Sequence, residues 1–193
     1  MSPLKLAAVF SVKGLAQEIT ISNDSLLFQA VAEQTDHLPF SSLLLGSSPT
    51  LLKLDTKTCI GLYLVSERTL LNNPLSDLAT AQLPGCVGIF PMVAKQGVSA
   101  EAADKHWHRV HAPLALDVHR AMSHYYQLSV AHRFFGPSWQ GFALCCFDAE
   151  TDLREKMYRS VDGKRLIAKD IAQFADTELS PRRVISEVAR AGR

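Results

Sequence analysis

The sequence predicts an α+β protein in which an antiparallel sheet carries helices on one face. Two strongly apolar stretches, residues 87–94 and 141–147, have the composition of buried strands. Between them lies a long amphipathic segment, residues 99–122, whose apolar side chains recur at helical spacing. Together with their flanking segments they give the order β-α-β-β-α-β, which is the pattern of a ferredoxin-like unit.

Local signals define the other elements of the second half. Residues 125–135 form a strand that ends at a Gly-Pro turn. Residues 148–158 and 165–173 are rich in helix formers and are separated by an Asp-Gly break. Residues 182–189 are predicted to be the last strand.

The first half is less strongly patterned. It is predicted to begin with a strand at residues 4–12, and a helix at residues 25–35 is predicted to stop before Pro39. Residues 50–54 and 58–65 are predicted to form a hairpin. The weaker predictions are a β segment at residues 17–22 and a short helix at residues 75–82.

Three short motifs of the first half recur in the second. The clearest is His37-Leu38-Pro39-Phe40, which resembles His111-Ala112-Pro113-Leu114; each precedes a predicted hairpin. A degenerate tandem duplication and chance similarity of short apolar words both explain these matches. A duplication would divide the chain into residues 1–84 and 85–193. It would also pack the two sheets into one barrel, which would cover the sheet face that a single unit leaves bare.

Composition and charge exclude several classes of function. The net charge is +1 and no basic face is present, so nucleic acid is not a predicted partner. The N-terminus is interpreted as a strand rather than a signal peptide, and no apolar segment approaches the length of a membrane span. The four cysteines include no C-x-x-C pair and are expected to be reduced and buried. These features predict a cytoplasmic protein without a membrane partner.

The helix predicted at residues 99–122 contains a proline inside its pattern. Pro113 removes one backbone donor and crowds the Arg109 carbonyl, so the helix is expected to kink or end there. Trp107 and His111 share the buried face just before this point. A free carbonyl and a titratable ring would therefore lie close together.

Histidines are concentrated around this helix. Six of the seven lie between His106 and His132, and an imidazole exchanges protons readily near neutral pH. His111 is the first candidate for a catalytic acid/base, and His108, one turn away, is the second. The alternative for His111 is a packing histidine whose proton satisfies a nearby carbonyl. We interpret His106, His119 and His124 as solvated or terminal.

A metal site is not predicted. Asp104, His108 and His111 lie on overlapping helix faces, but their spacing lacks the H-E-x-x-H pattern of a zinc site.

The strand at residues 125–135 has two faces. The face with Tyr126 and Leu128 is predicted to lie under the helices. The face with Tyr125 and Gln127 suits a ligand pocket walled by Trp107, although it also suits an ordinary solvent or dimer face.

Arg182 begins the last predicted strand. It is a candidate to bind a ligand carboxylate, while arginines at sheet ends commonly pair with surface acids.

The second half resembles the EthD-type proteins over residues 86–190. The motifs that carry the resemblance occur in order: Trp107-x-x-x-His111-Ala112-Pro113-Leu114, Tyr125-x-Gln127, Gly141 before an apolar strand, and Asp170-x-x-x-Phe174-x-Asp176. EthD-type proteins belong to the dimeric α+β-barrel superfamily, which also contains polyketide cyclases, muconolactone isomerases and cofactor-free monooxygenases. This chain has Gln140-Gly141 where the family usually has Asp-Gly, and Ala103 where an aromatic residue is common. The resemblance implies an α+β barrel, a small-molecule activity and a homodimer.

Three functions are compatible with these observations. The first is a cofactor-independent lyase, isomerase or cyclase acting on an apolar or aromatic, polyketide-like molecule in the barrel cavity. In it His111 is the acid/base, Tyr125 and Gln127 orient the substrate, and Trp107 walls the pocket. The second is a binding or interaction module of the same fold without turnover. The third is a haem-binding or oxygen-activating barrel.

Overall fold

A computed structural model shows an eight-stranded antiparallel barrel with helices against part of its outer surface. It describes residues 4–11, 25–31, 38–75, 83–181 and 183–190. The α+β barrel predicted from the sequence is confirmed.

The strands of the two halves occupy equivalent places in the barrel. They are Leu4–Phe10 (β1), Leu26–Ala30 (β2), Ser42–Gly46 (β3), Gly61–Leu71 (β4), Cys86–Met92 (β5), His124–Phe135 (β6), Gly141–Phe147 (β7) and Val184–Arg190 (β8). Around the barrel they follow the order β1-β3-β2-β8-β5-β7-β6-β4, and β4 closes the ring by pairing with β1. The first half thus contributes β4-β1-β3-β2 and the second β8-β5-β7-β6, which is the same internal order.

This shared order agrees with a tandem duplication, but the division at residues 84 and 85 stays a prediction. Residues 12–24, where the first half would carry its counterpart of the first helix, lie outside the described residues. One chain closes the barrel by pairing β4 with β6 and β2 with β8. A second copy is therefore not needed to cover the inner face, and the homodimer also stays a prediction.

The inside of the barrel is filled by side chains. Strand residues of both halves, among them Val9, Phe28 and Tyr126, form one buried apolar cluster. Trp139 joins it and stacks on Tyr63, with ring centroids 6.1 Å apart. Such packing leaves the interior as a core, which corrects the expectation of a substrate inside the barrel.

The helices cover the outer face of the second half. They are Ala100–His106 (α1), Ala112–Val118 (α2), Glu150–Glu155 (α3) and Val161–Phe174 (α4), and the turn Trp107–His111 joins α1 to α2. A second buried cluster forms where these helices meet the sheet, and it includes Tyr125, Cys145 and Ile185. Tyr125 therefore lies under the helices while Tyr126 points into the barrel. The predicted separation of the two faces is right, but placing Tyr126 under the helices was wrong.

Pro113 widens its helix instead of ending it. The turn at Trp107–His111 is π-helical, and the Ala112 N–H donates to the Trp107 carbonyl five residues back. Pro113 then falls in the first turn of α2, where a missing backbone donor is tolerated. The helix continues to Val118, and single π-helical turns of this kind occur frequently at functional sites.

Four predictions for the first half either differ from the structure or fall outside the described residues. Residues 26–30 form strand β2 rather than part of a helix, because both neighbours, β3 and β8, pair with them and outweigh helix propensity. Pro49–Lys53 is a 3₁₀ turn capped by Ser48, so the predicted hairpin is wrong and only its second strand forms, as β4. The segments predicted at residues 17–22 and, apart from Leu75, at residues 75–82 lie outside the described residues.

Within the described ranges, the helices are all too short or too polar to cross a membrane.

Candidate functional site

A cavity of about 330 Å³ lies between the helices and the outer face of the second-half sheet. This volume is in the range of small-molecule sites. Its lining is predominantly apolar, with polar groups from two histidines, two tyrosines and a few smaller side chains. The lining includes Trp107, His111, His119, Tyr125, Met157 and Phe174.

His111 lies on the cavity wall with one ring nitrogen held by a carboxylate. Its Nδ1–H donates to Asp170 Oδ2 over 2.8 Å. The other carboxylate oxygen of Asp170 accepts from His106 Nε2, also over 2.8 Å. Because a carboxylate only accepts, the neutral His111 ring carries its proton on Nδ1 and a lone pair on Nε2. No described residue hydrogen-bonds to this Nε2.

Two opposing influences act on the proton affinity of His111. Burial lowers its pKa most, and the neighbouring His106 lowers it further. The hydrogen bond and the negative charge of Asp170 raise it. The pKa of His111 nevertheless lies below the ordinary histidine value. The ring is therefore neutral near pH 7, and the carboxylate stabilises the imidazolium that forms when it takes a proton. This is the arrangement of a general base with an orienting partner.

The wide turn of the helix places Trp107 and His111 on the same wall of the cavity. The Trp107 carbonyl accepts from Gln127 Nε2 over 2.9 Å, so a buried amide side chain braces the turn. The Trp107 ring packs on Gly141, where an added Cβ would lie 2.5 Å from it. Gly141 is thus required for close approach of the ring to β7.

His119 is the second imidazole of the cavity. It is 4% exposed, and its Nδ1–H donates to the Met157 carbonyl over 2.7 Å. Burial lowers the pKa of His119, more than the Met157 carbonyl raises it, and the nearby His111 lowers it further. A carbonyl, unlike the Asp170 carboxylate, brings no charge to stabilise an imidazolium. His119 is therefore suited to remain neutral.

Tyr125 is a buried tyrosine of the sheet that lines the cavity. Burial raises its pKa well above the ordinary tyrosine value, while the hydrogen bond from Gln127 lowers it in part. Cys145 also lines the cavity, and burial raises the pKa of its thiol to about 12. Both groups keep their protons at neutral pH.

Comparison with known proteins identifies the part of the chain that forms this cavity. Residues 95–178 match the EthD domain family. This part of the chain is an EthD domain. It supplies the π-helical turn, Tyr125 on β6, and Asp170 on α4, and the resemblance drawn from the sequence is confirmed.

Solved structures extend the likeness of the EthD-containing chain over its whole length. A structure described as an anthrone oxidase-like protein aligns with a TM-score of 0.59 and 10% identity, over 98% of this chain and 94% of that one. A second, from Lactobacillus acidophilus NCFM and assigned provisionally as a monooxygenase, aligns with a TM-score of 0.46 and 9% identity, over 97% and 93%. At these identities the first likeness shows the fold alone. No curated protein matches the sequence.

The predicted site residues are only partly brought together by the EthD domain. His111, Trp107 and Tyr125 line the cavity, and Gln127 lies directly behind two of them. His108 is exposed and does not line the cavity. Arg182 lies outside the described residues, although its neighbour Pro181 lines the cavity.

The Asp104 carboxylate is committed to other partners. It accepts from Arg68 over 2.8 Å and from the Ser129 hydroxyl over 2.7 Å. Its hydrogen bonds are therefore to Arg68 and Ser129, not to His108 or His111. Among the described residues, no three His, Cys, Asp or Glu side chains are grouped as metal ligands.

Two residues of the EthD site were missed by sequence reasoning. Asp170 was noted in the family motif but given no role, although its i,i+4 spacing to Phe174 places both on the helix face that meets the cavity. His119 was interpreted as solvated or terminal, and the structure corrects this to a buried position. A histidine at a helix end carries no local signal of burial, because the carbonyl that holds it comes from residue 157.

Proposed function

We propose that the EthD domain is a cofactor-independent enzyme that binds a small apolar or aromatic, polyketide-like molecule in this cavity. His111 acts as the general base, and the reaction is of the lyase, isomerase or cyclase type. The observation that carries the proposal is the pairing of His111 Nδ1 with Asp170 on the wall of this cavity, which leaves the other ring nitrogen without a described partner.

The chemistry begins with removal of a weakly acidic proton from the bound molecule by His111 Nε2. Asp170 stabilises the resulting imidazolium, and the Tyr125 hydroxyl donates to the oxygen on which negative charge develops. The anion is then protonated at another position, forms a new carbon–carbon bond or expels a leaving group. His108 is not included in the proposal, because its ring is outside the cavity.

Anthrone is a suitable probe because it is apolar, aromatic and carries a methylene activated by a carbonyl group. The structural neighbour described as anthrone oxidase-like shares the fold, which makes anthrone a reasonable first choice. Exchange of the methylene protons in D₂O under nitrogen, followed by NMR, measures proton abstraction directly. We expect the protein to accelerate exchange, and His111→Ala to remove about 10²–10⁴-fold of that acceleration.

His108→Ala is the matched control, since it changes an exposed histidine on the same helix. Equal exchange rates for the wild type and His111→Ala would refute the proposal. Binding of anthrone without any exchange would favour the non-catalytic binding module instead. Oxygen uptake in air that requires His111 would favour the monooxygenase-like form of the same proton abstraction.

A further inference from the structure

Three polar groups of the cavity have hydrogen-bonding roles fixed by their surroundings. His111 offers a lone pair on Nε2, as shown above. His119 does the same, because the Met157 carbonyl can only accept and therefore places the ring proton on Nδ1. No described residue hydrogen-bonds to the Nε2 of His119. This atom is also not one of the fully buried side-chain atoms that lack a hydrogen-bond partner, so it is not closed off from the cavity.

The third group, the Tyr125 hydroxyl, is fixed as a donor toward the ligand. Gln127 must turn its NH₂ group toward the Trp107 carbonyl, since two oxygens cannot hydrogen-bond to each other. The same nitrogen also donates to the Tyr125 oxygen over 3.3 Å. With its oxygen accepting from Gln127 and no described residue accepting its O–H, Tyr125 has that O–H left to donate to a ligand in the cavity it lines.

Charged side chains are missing from the described part of the lining. None of the described residues on the cavity wall is Lys, Arg, Asp or Glu. A ligand carboxylate or phosphate would therefore be desolvated without a counter-ion among the described lining residues, which costs several kcal/mol. A neutral ligand has no such cost.

We propose that the cavity selects neutral aromatic hydroxyketones: the ligand hydroxyl donates to His119 Nε2, and the ligand carbonyl accepts from the Tyr125 O–H. This rests on the proposed function and names its substrate class. His119 becomes a specificity-determining residue that stays neutral, while His111, with its carboxylate partner, is left to move the proton. The difference between a carbonyl and a carboxylate on Nδ1 separates the two roles.

Benzophenones test the selection, because one scaffold can carry each group in turn. The probes are benzophenone, its meta- and para-hydroxy derivatives and para-benzoylbenzoate, with binding measured by calorimetry at neutral pH. We expect the better hydroxy derivative to bind about tenfold more tightly than benzophenone, as one added hydrogen bond would give. The carboxylate should bind more weakly than the parent.

His119→Phe removes the acceptor and keeps an aromatic ring, so the tenfold preference for the hydroxyl should disappear. His124→Phe is the matched control, because His124 does not line the cavity, and it should leave the preference unchanged. Tyr125→Phe should weaken the binding of every ketone by a similar factor. A hydroxyl preference that survives in His119→Phe would overturn the assignment, as would tighter binding of para-benzoylbenzoate than of benzophenone.

A spectroscopic readout on the unmodified protein avoids dependence on variant folding. In ¹⁵N-resolved spectra, His119 Nε2 should be unprotonated and should shift when the hydroxy derivative is added, but not when benzophenone is added. A protonated Nε2, or equal shifts with both ligands, would overturn the inference. These outcomes are independent of proton exchange in anthrone. If His111→Ala loses exchange but His119→Phe keeps the hydroxyl preference, the proposed function holds and the inference about His119 is wrong.

Discussion

Replacement of Asp170 by asparagine tests the pairing on which the proposed mechanism depends. The carboxylate accepts from His106 through one oxygen and from His111 through the other, each over 2.8 Å. An asparagine has only one acceptor oxygen, so its NH₂ group must face one of the two rings. That ring loses its hydrogen bond or changes tautomer, and the imidazolium of His111 loses its charged partner in either case.

The magnitude follows from the burial of the pair. The side chains of His111 and Asp170 are 9% and 11% exposed, so solvent screens their interaction only weakly. A hydrogen bond to a charged group contributes about 1.5–3 kcal/mol and a neutral one about 1 kcal/mol. Asp170→Asn should therefore lower the free energy of unfolding by about 1–2 kcal/mol. It should also lower the pKa of His111 further below its already lowered value, because the imidazolium loses the hydrogen bond and the negative charge that raise it.

NMR titration of the His111 ring protons and urea unfolding measure both quantities. Asp162→Asn is the matched control, because Asp162 lies on the same helix, is 85% exposed, and forms a surface ion pair of little energetic value. An unchanged or raised pKa of His111 in Asp170→Asn would show that the carboxylate does not stabilise the imidazolium.

Three further predictions concern stability and the location of the site. Burial lowers the pKa of His111 and His119 in the folded protein, so the unfolded chain binds protons more readily at these rings. The free energy of unfolding should therefore fall as the pH drops below about 6.5. Each ring contributes up to about 1.4 kcal/mol per pH unit, and urea midpoints that do not change with pH would contradict this. Trp139→Ala should lower the free energy of unfolding in urea by about 3–5 kcal/mol, because it leaves a cavity in the barrel core, but it should not change benzophenone binding. Weaker binding in a folded variant would argue against a site outside the barrel. Gly141→Ala should displace the Trp107 ring, lower stability by about 1–3 kcal/mol and weaken the same binding in calorimetry, and unaltered affinity would mean that Trp107 does not shape the cavity.

Much of the second half of the fold could be predicted from local patterns. The apolar run at Gly141–Phe147 and the alternation that begins at Tyr125 are each long enough to predict a strand, and both strands form. The strand Leu26–Ala30 was missed because its helix-forming residues are held in a strand by pairing with β3 and with β8, about 160 residues away. Non-local pairing of this kind leaves no signature in the segment itself.

The residues of the candidate site could also be predicted only in part from the sequence. Trp107, His111 and Tyr125 could be found because helical and strand periodicity places them on the faces where the helix meets the sheet. The face of β6 predicted to lie under the helices was the wrong one, since a closed barrel buries both faces of β6 and both carry apolar residues. Asp170 and His119 owe their roles to partners about 60 and 38 residues away, and such contacts are visible only in the folded chain.

A crystal structure with the better-binding hydroxybenzophenone would show directly whether the ligand site lies outside the barrel. We expect the ligand in the cavity between the helices and the outer face of the sheet, with Tyr125 Oη and His119 Nε2 in hydrogen-bond contact and His111 Nε2 facing the ligand. A ligand inside the barrel among Tyr63, Trp139 and their neighbours, or a His111 ring whose Nε2 faces away from the bound molecule, would contradict it.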